Sequence, residues 1–99
     1  MALRVKIAAL AEGQLRRAAE WWLENRPAAP GAIADDFAET VALLALHPSI
    51  GAACEGARTP NARRIFLGRV GYFVYYAVNN GELHVLAFWH ASRGRKPLL

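Results

Sequence analysis

The chain has 99 residues, 55% hydrophobic and 20% charged, which is enough for one core and too apolar for intrinsic disorder. Its net charge of +4 is unevenly spread: residues 1–50 carry five Lys or Arg against six carboxylates, and residues 51–99 carry seven against two. The basic half suits an acidic surface, either nucleic acid or an acidic protein, although basic surfaces also serve solubility alone.

Cys54 is the sole cysteine, so no intramolecular disulfide can form; a lone thiol fits a reducing cytoplasm. The opening Met1-Ala2-Leu3-Arg4-Val5-Lys6-Ile7 interleaves charge with apolar residues, unlike a signal peptide. No run approaches the ~20 apolar residues that cross a bilayer. Residues 1–99 are therefore expected to form a single soluble, cytoplasmic domain.

Leu3 to Ile7 alternates as a strand does, with Leu3, Val5 and Ile7 on one face. From about Ala11 the period becomes helical, with Ala11, Leu15, Ala18, Ala19 and Trp22 on one stripe. Trp21 adjoins the core residue Trp22 and belongs at the stripe's edge or in an interface. Arg26-Pro27 ends the helix, because a residue before proline avoids the α region. A second helix is expected from about Pro30 to His47, with proline in its first turn and Asp35 and Asp36 near the positive end of its dipole. Ile33, Phe37, Val41 and Leu44 form its buried stripe, and the short link makes the two helices a hairpin over about 11–47.

Residues 49–61 are weakly patterned and expected to be loop. Three strands follow, at about 62–67, 72–78 and 82–89, forming a meander over about 62–89 ahead of a basic tail, residues 90–99. Asn79-Asn80-Gly81 signals a tight hairpin, since Asn-Gly accepts the positive φ angles of a type I′ turn. With Asn80-Gly81 as the loop, Val78 opposes Leu83, Tyr76 opposes Val85, Val74 opposes Ala87 and Tyr72 opposes Trp89. This face is expected beneath the helices, with Tyr76 and Trp89 in the core. The opposite face then pairs Ala77 with His84, Tyr75 with Leu86 and Phe73 with Phe88. It is almost as apolar, and two helices cover only one side of a sheet. A partner, the tail or a second copy is left to cover the strip.

His47, His84, His90 and Cys54 offer no compact ligand set; His84 and His90 lie roughly 20 Å apart along a strand. No metal and no cofactor are expected. Cys54 lacks an evident activating group and is expected to be an inert thiol. Arg93, Arg95 and Lys96 follow an aromatic strand and His90, so a flexible basic tail is expected to reach an acidic protein or a phosphate backbone.

The order strand–helix–helix–strand–strand–strand resembles the RelE/ParE superfamily of type II toxin–antitoxin systems, also known as plasmid stabilisation proteins. Leu46-His47-Pro48-Ser49-Ile50-Gly51 is similar to the "L-x-x-P-x-x-G" after the second helix of ParE-type toxins, with one residue fewer between the leucine and the proline. Arg63-Arg64-Ile65-Phe66-Leu67 with Tyr72-Phe73-Val74-Tyr75-Tyr76-Ala77-Val78 resembles "R-R-x-x-L … Y-x-V-x-Y-x-V". His90-Ala91-Ser92-Arg93 resembles the closing "H-x-x-R". The resemblance implies a two-layer α+β fold, with a helical hairpin on one face of a mainly antiparallel sheet.

It also implies a bacterial toxin neutralised by a ParD-like antitoxin in a hetero-oligomer. ParE-type members bind DNA gyrase and block replication, whereas RelE-type members cleave messenger RNA on the ribosome with basic residues and usually a tyrosine near the C-terminus. Arg64, His90 and Arg93 match positions a RelE-type catalytic set would use, but Phe73 stands where such toxins tend to carry arginine, and no tyrosine follows Val78. These departures favour a gyrase-binding toxin over a metal-independent endoribonuclease; a non-toxic basic nucleic-acid-binding module is the third alternative. On the gyrase-binding premise, His90, Arg93, Arg95 and Lys96 face the target. Phe73, Tyr75, Leu86 and Phe88, with Arg63, Arg64 and Arg69, meet the antitoxin.

Overall fold

The computed structural model describes residues 2–99. Strand β1 (Arg4–Ile7) leads into helix α1 (Ala9–Asn25) and helix α2 (Ala32–Leu46). Strands β2 (Ala52–Ala53), β3 (Arg63–Leu67), β4 (Tyr72–Asn79) and β5 (Glu82–His90) complete a five-stranded mixed sheet ordered β1-β5-β4-β3-β2. β1 runs parallel to β5 and the other pairings are antiparallel.

Both helices form where the 3.6-residue stripe predicts. Ala11 and Ala18 of α1 are buried, as are Ile33, Val41 and Leu44 of α2, with Leu15, Trp22 and Phe37 packed partly exposed against them. The second helix begins at Ala32, not Pro30, which lies in the connecting turn. The Trp22 indole N–H donates to the Ala29 carbonyl at 2.8 Å and holds that turn against α1. β2 falls inside the stretch expected to be loop: two alanines pairing with Arg63 and Arg64 are too short to show a period.

The hairpin forms at Asn80 (φ 51°) and Gly81 (φ 75°), and its register runs as expected from Asn79↔Glu82 to Tyr76↔Val85. There a bulge inserts Leu86, and the pairing slips by one residue to Tyr75↔Ala87, Val74↔Phe88, Phe73↔Trp89 and Tyr72↔His90. An extra residue in one strand reverses which side chains share a face beyond it. Phe88 therefore enters the core at 2% exposure, stacked on Tyr72 at 4.5 Å and edge-on to Phe37 at 6.0 Å. Trp89 leaves the helix layer and joins Phe73. The expected placement of Trp89 in the core and Phe88 on the outward strip is thus interchanged.

The other edge of β5 is also left open, because the chain turns into α1 after Ile7. β1 pairs with β5 only as far as Val85, so the outer edge of β5 lacks a strand beyond that point. The Gln14 amide oxygen reaches from α1 to accept the Phe88 N–H at 2.8 Å, satisfying a donor the missing strand would have taken.

Tyr76, fully buried, locks the α2–β2 connection. Its hydroxyl donates to the Pro48 carbonyl at 2.8 Å and accepts the Gly51 N–H at 2.9 Å. A Cβ at Gly51 would collide with the Tyr76 ring and the Arg64 carbonyl, so only glycine fits. Pro48 and Gly51 of the Leu46–Gly51 stretch are thus two ends of one tyrosine latch.

Candidate functional site

The sheet face away from the helices carries Arg64 and Phe66 of β3, Phe73 and Tyr75 of β4, and Trp89 of β5, placed by the strand registers. Its arginines lie over rings. The Arg64 guanidinium carbon is 4.3 Å from the Phe73 centroid, and that of Arg93 is 4.0 Å from Trp89. Arg64 also donates to the Tyr75 hydroxyl at 3.2 Å. Stacking of this kind fixes a guanidinium's plane while leaving its edge N–H groups able to meet an anion.

The tail is folded back rather than free. The Trp89 indole N–H donates to the Arg95 carbonyl at 2.9 Å, and the Leu99 oxygen accepts the Arg58 and Thr59 N–H groups at 2.7 and 3.0 Å. Residues 95–99 so strap one side of the outward face, and Tyr75 is left only 3% exposed. Between the strap and the β2–β3 loop is a cavity of about 370 Å³ that Cys54, Arg64 and Lys96 help to line. Burial pushes the Cys54 thiol up against the opposite pull of Arg64 and Lys96, which favours the protonated thiol at neutral pH.

These elements converge on a second pocket of about 260 Å³, lined by Arg64, Phe73, Tyr75, Trp89, His90, Arg93, Arg95 and Lys96. Arg64, His90, Arg93, Arg95 and Lys96, singled out in the sequence, thus come together. Among the described residues no carboxylate lines the pocket, and their ion pairs, Arg69–Asp36 and His84–Glu82, lie elsewhere. Its cations are therefore open to an external carboxylate or phosphate.

His90 is held as a donor. The Ser92 N–H donates to its Nδ1 at 3.1 Å, and the Ser92 hydroxyl oxygen lies 2.6 Å from the same nitrogen. An Nδ1 that accepts a backbone N–H has its lone pair engaged, which leaves the ring proton on Nε2. His90 thus presents an N–H, and the lone pair a general base needs is occupied. Burial raises the Tyr72 phenol on the helix side of His90, against the pull of nearby Arg93, so it stays protonated at neutral pH.

The residues expected to meet an antitoxin disperse. Phe73 and Tyr75 lie on the outward face, Tyr75 already covered, and Leu86 sits half-buried at the bulge. Phe88 is in the core. Arg63 is spent on the Gly51 and Ser49 carbonyls at 2.6 and 3.2 Å. Arg69 pairs with Asp36 through Nε–Oδ2 at 3.1 Å at the β3–β4 turn. Phe66, 51% exposed and 5.1 Å from Phe73, extends the outward apolar surface. Trp89, Ser92 and Phe66 are contributors the sequence did not reveal. Only the parity of Phe66 with Arg64 pointed to any of them.

Residues 5–95 match the family model described as ParE toxin of type II toxin-antitoxin system, parDE. Among solved structures, a chain from the chromosomal ParDE TA system of P. aeruginosa superposes with a TM-score of 0.74 at 18% identity, covering 92% of this chain and 98% of that one. No sequence among curated proteins matches significantly.

Proposed function

Since the chain belongs to the ParE toxin family of type II toxin–antitoxin systems, we propose that it arrests growth in the bacterial cytoplasm by binding DNA gyrase and blocking replication, and that a cognate ParD-like antitoxin neutralises it. The observation that carries this is the carboxylate-free pocket of Arg64, Arg93, Arg95 and Lys96 beside a His90 whose Nδ1 is occupied. Such a pocket grips an anion. A nuclease without metal must also move protons to and from oxygen, and arginine is a poor base. Arg93, stacked on Trp89, is the principal contact, with Arg95 and Lys96 beside it and His90 as an Nε2–H donor.

The antitoxin meets the uncovered part of the outward face, centred on Phe66 and Phe73 and reaching Leu86 at the bulge. An acidic residue of the antitoxin pairs with Arg64. Apolar anchors supply most of the affinity of such a contact, and charge sets its encounter rate.

The common pocket of Arg64, His90 and Arg93 favours one other reading, ribosome-dependent RNA cleavage of the RelE type. Induction of the protein in cells, followed by assay of trapped gyrase–DNA breaks and of messenger RNA cleavage, separates the two. DNA breaks that disappear with Arg93→Ala, with messenger RNA intact, are the expected result. Messenger RNA cut in translating ribosomes without DNA breaks would refute the gyrase reading.

A further inference from the structure

The end of the molecule beyond the basic pocket holds a feature that the basic pocket itself does not explain. Trp21 and Trp22 of α1, Arg26, Tyr72 and His90 line a cleft of about 530 Å³ on the helix side of the sheet. Trp21 is 48% exposed. Its indole N–H has no hydrogen-bond partner among the described residues, whereas that of Trp22 is bound to Ala29. The Arg26 guanidinium sits 5.3 Å from the Trp21 ring centroid and 5.8 Å from that of Trp22. Arg69, also at the rim, is neutralised by Asp36. His90 lines both this cleft and the basic pocket. The two recesses therefore adjoin around the end of β5, with ring faces on one side of His90 and unneutralised cations on the other.

A planar, polyanionic chain is the ligand that uses both halves. Proteins that hold single strands combine a cationic path for the backbone with aromatic side chains on which bases stack. An acidic peptide would satisfy the cations but leave the exposed Trp21 face without a flat partner. We infer that the Trp21–Tyr72 cleft and the adjoining basic pocket form one track for single-stranded nucleic acid, with a base stacked on Trp21 and phosphates held by Arg26 and Arg93. The track builds on the proposed target-facing role of the basic pocket. It adds that the toxin touches the nucleic acid itself, not only a protein target.

The test uses the purified full chain and fluorescent oligothymidylate of about twelve nucleotides, within the range one small domain covers. An abasic deoxyribose-phosphate oligomer of equal length and an oligouridylate are run beside it. Oligothymidylate is expected to quench tryptophan emission and to bind more tightly than the abasic chain. Trp21→Ala should weaken oligothymidylate roughly ten- to a hundredfold, as loss of one stacked base does. It should leave abasic binding nearly unchanged, and Trp21→Phe should recover most of the loss. Arg26→Gln should weaken both oligomers and reduce the salt slope by about 0.7, one phosphate contact on a single strand. Comparison of oligothymidylate with oligouridylate distinguishes DNA from RNA as the natural source of the strand.

The inference is overturned if wild type does not prefer the base-bearing oligomer, or if Trp21→Ala binds it as tightly as wild type. It is equally overturned if Trp21→Ala spares the oligomer and instead releases the cognate antitoxin, since the cleft is then a protein-docking surface. Should oligomer binding behave as expected while no gyrase–DNA breaks form in cells, the track stands and the gyrase target falls.

Discussion

Replacing Tyr76 with phenylalanine removes one oxygen and leaves the aromatic packing in place. The lost hydroxyl currently serves the Gly51 N–H at 2.9 Å and the Pro48 carbonyl at 2.8 Å. Gly51 is buried, so its orphaned donor costs about 1–3 kcal/mol. Pro48 is half-buried, and partial access to water limits the second loss to about 0.5–1.5 kcal/mol. Together Tyr76→Phe should destabilise the protein by about 2–4 kcal/mol, a large share of the 5–15 kcal/mol typical of a domain. Urea titration should show a lower midpoint with an unchanged slope, and the thermal midpoint should fall by roughly 10–20 °C. Gly51→Ala should be costly in the native background and only partly relieved beside Tyr76→Phe, because the hydroxyl is then gone while the ring and the Arg64 carbonyl still crowd the added Cβ.

The same latch predicts an alkaline limit. Burial raises the Tyr76 phenol above its usual 10.0, against smaller downward pulls from the Gly51 hydrogen bond and Arg63. A raised folded pKa means that the folded state holds its proton longer than the unfolded chain does. The contribution is complete below about pH 10 and is lost as pH climbs through the folded value. Tyr76→Phe should flatten that part of the stability profile. A loss under about 0.5 kcal/mol, with an alkaline limb identical to wild type, would refute the latch as a stabilising device.

Gln14→Leu should cost about 1–3 kcal/mol by leaving the Phe88 N–H unpaired, and faster hydrogen exchange at that amide would be its local signature. Phe88→Ala should cost about 3–5 kcal/mol as a core truncation; an antitoxin-binding defect without a stability defect would instead return Phe88 to the outward strip. Phe73→Asp should weaken antitoxin capture at least tenfold in a protein with unchanged circular dichroism, and unaltered capture would move the interface off this face. Arg95→Gln with Lys96→Gln should reduce growth inhibition without lowering the melting temperature, and full toxicity in that variant would mark the strap as structural only.

The elements that pack by a regular period could be read directly. The stripes of α1 and α2 repeat every 3.6 residues, and Asn80-Gly81 fixed the hairpin as far as Tyr76↔Val85. Beyond it, Val85-Leu86-Ala87-Phe88-Trp89 is apolar on both parities, so a slip of one residue leaves the pattern unchanged and nothing in it marks the bulge. That ambiguity interchanged Phe88 and Trp89. The site suffered in a different way. Arg64, His90, Arg93, Arg95 and Lys96 stood out by charge and by family signature, and they share one pocket. The strap across Tyr75 depends on main-chain hydrogen bonds from the Arg58-Thr59 loop to Leu99, and backbone contacts of that kind have no side-chain signature.

The parallel pairing of β1 with β5 sets a timetable for synthesis. Arg4 meets Glu82, and Ile7 meets Val85, so β1 waits for β5 before it has a strand neighbour. At about 5–20 residues per second, the intervening stretch occupies the ribosome for roughly 4–16 s. Through that interval Val5 and Ile7 have no sheet to join, and the helical hairpin has no complete surface to pack on. The basic pocket is encoded chiefly after β5 begins, so the segment that completes the fold also brings most of the cations. A nascent chain that has not yet reached β5 therefore lacks both the strand that pairs with β1 and the cations Arg93, Arg95 and Lys96 of the pocket.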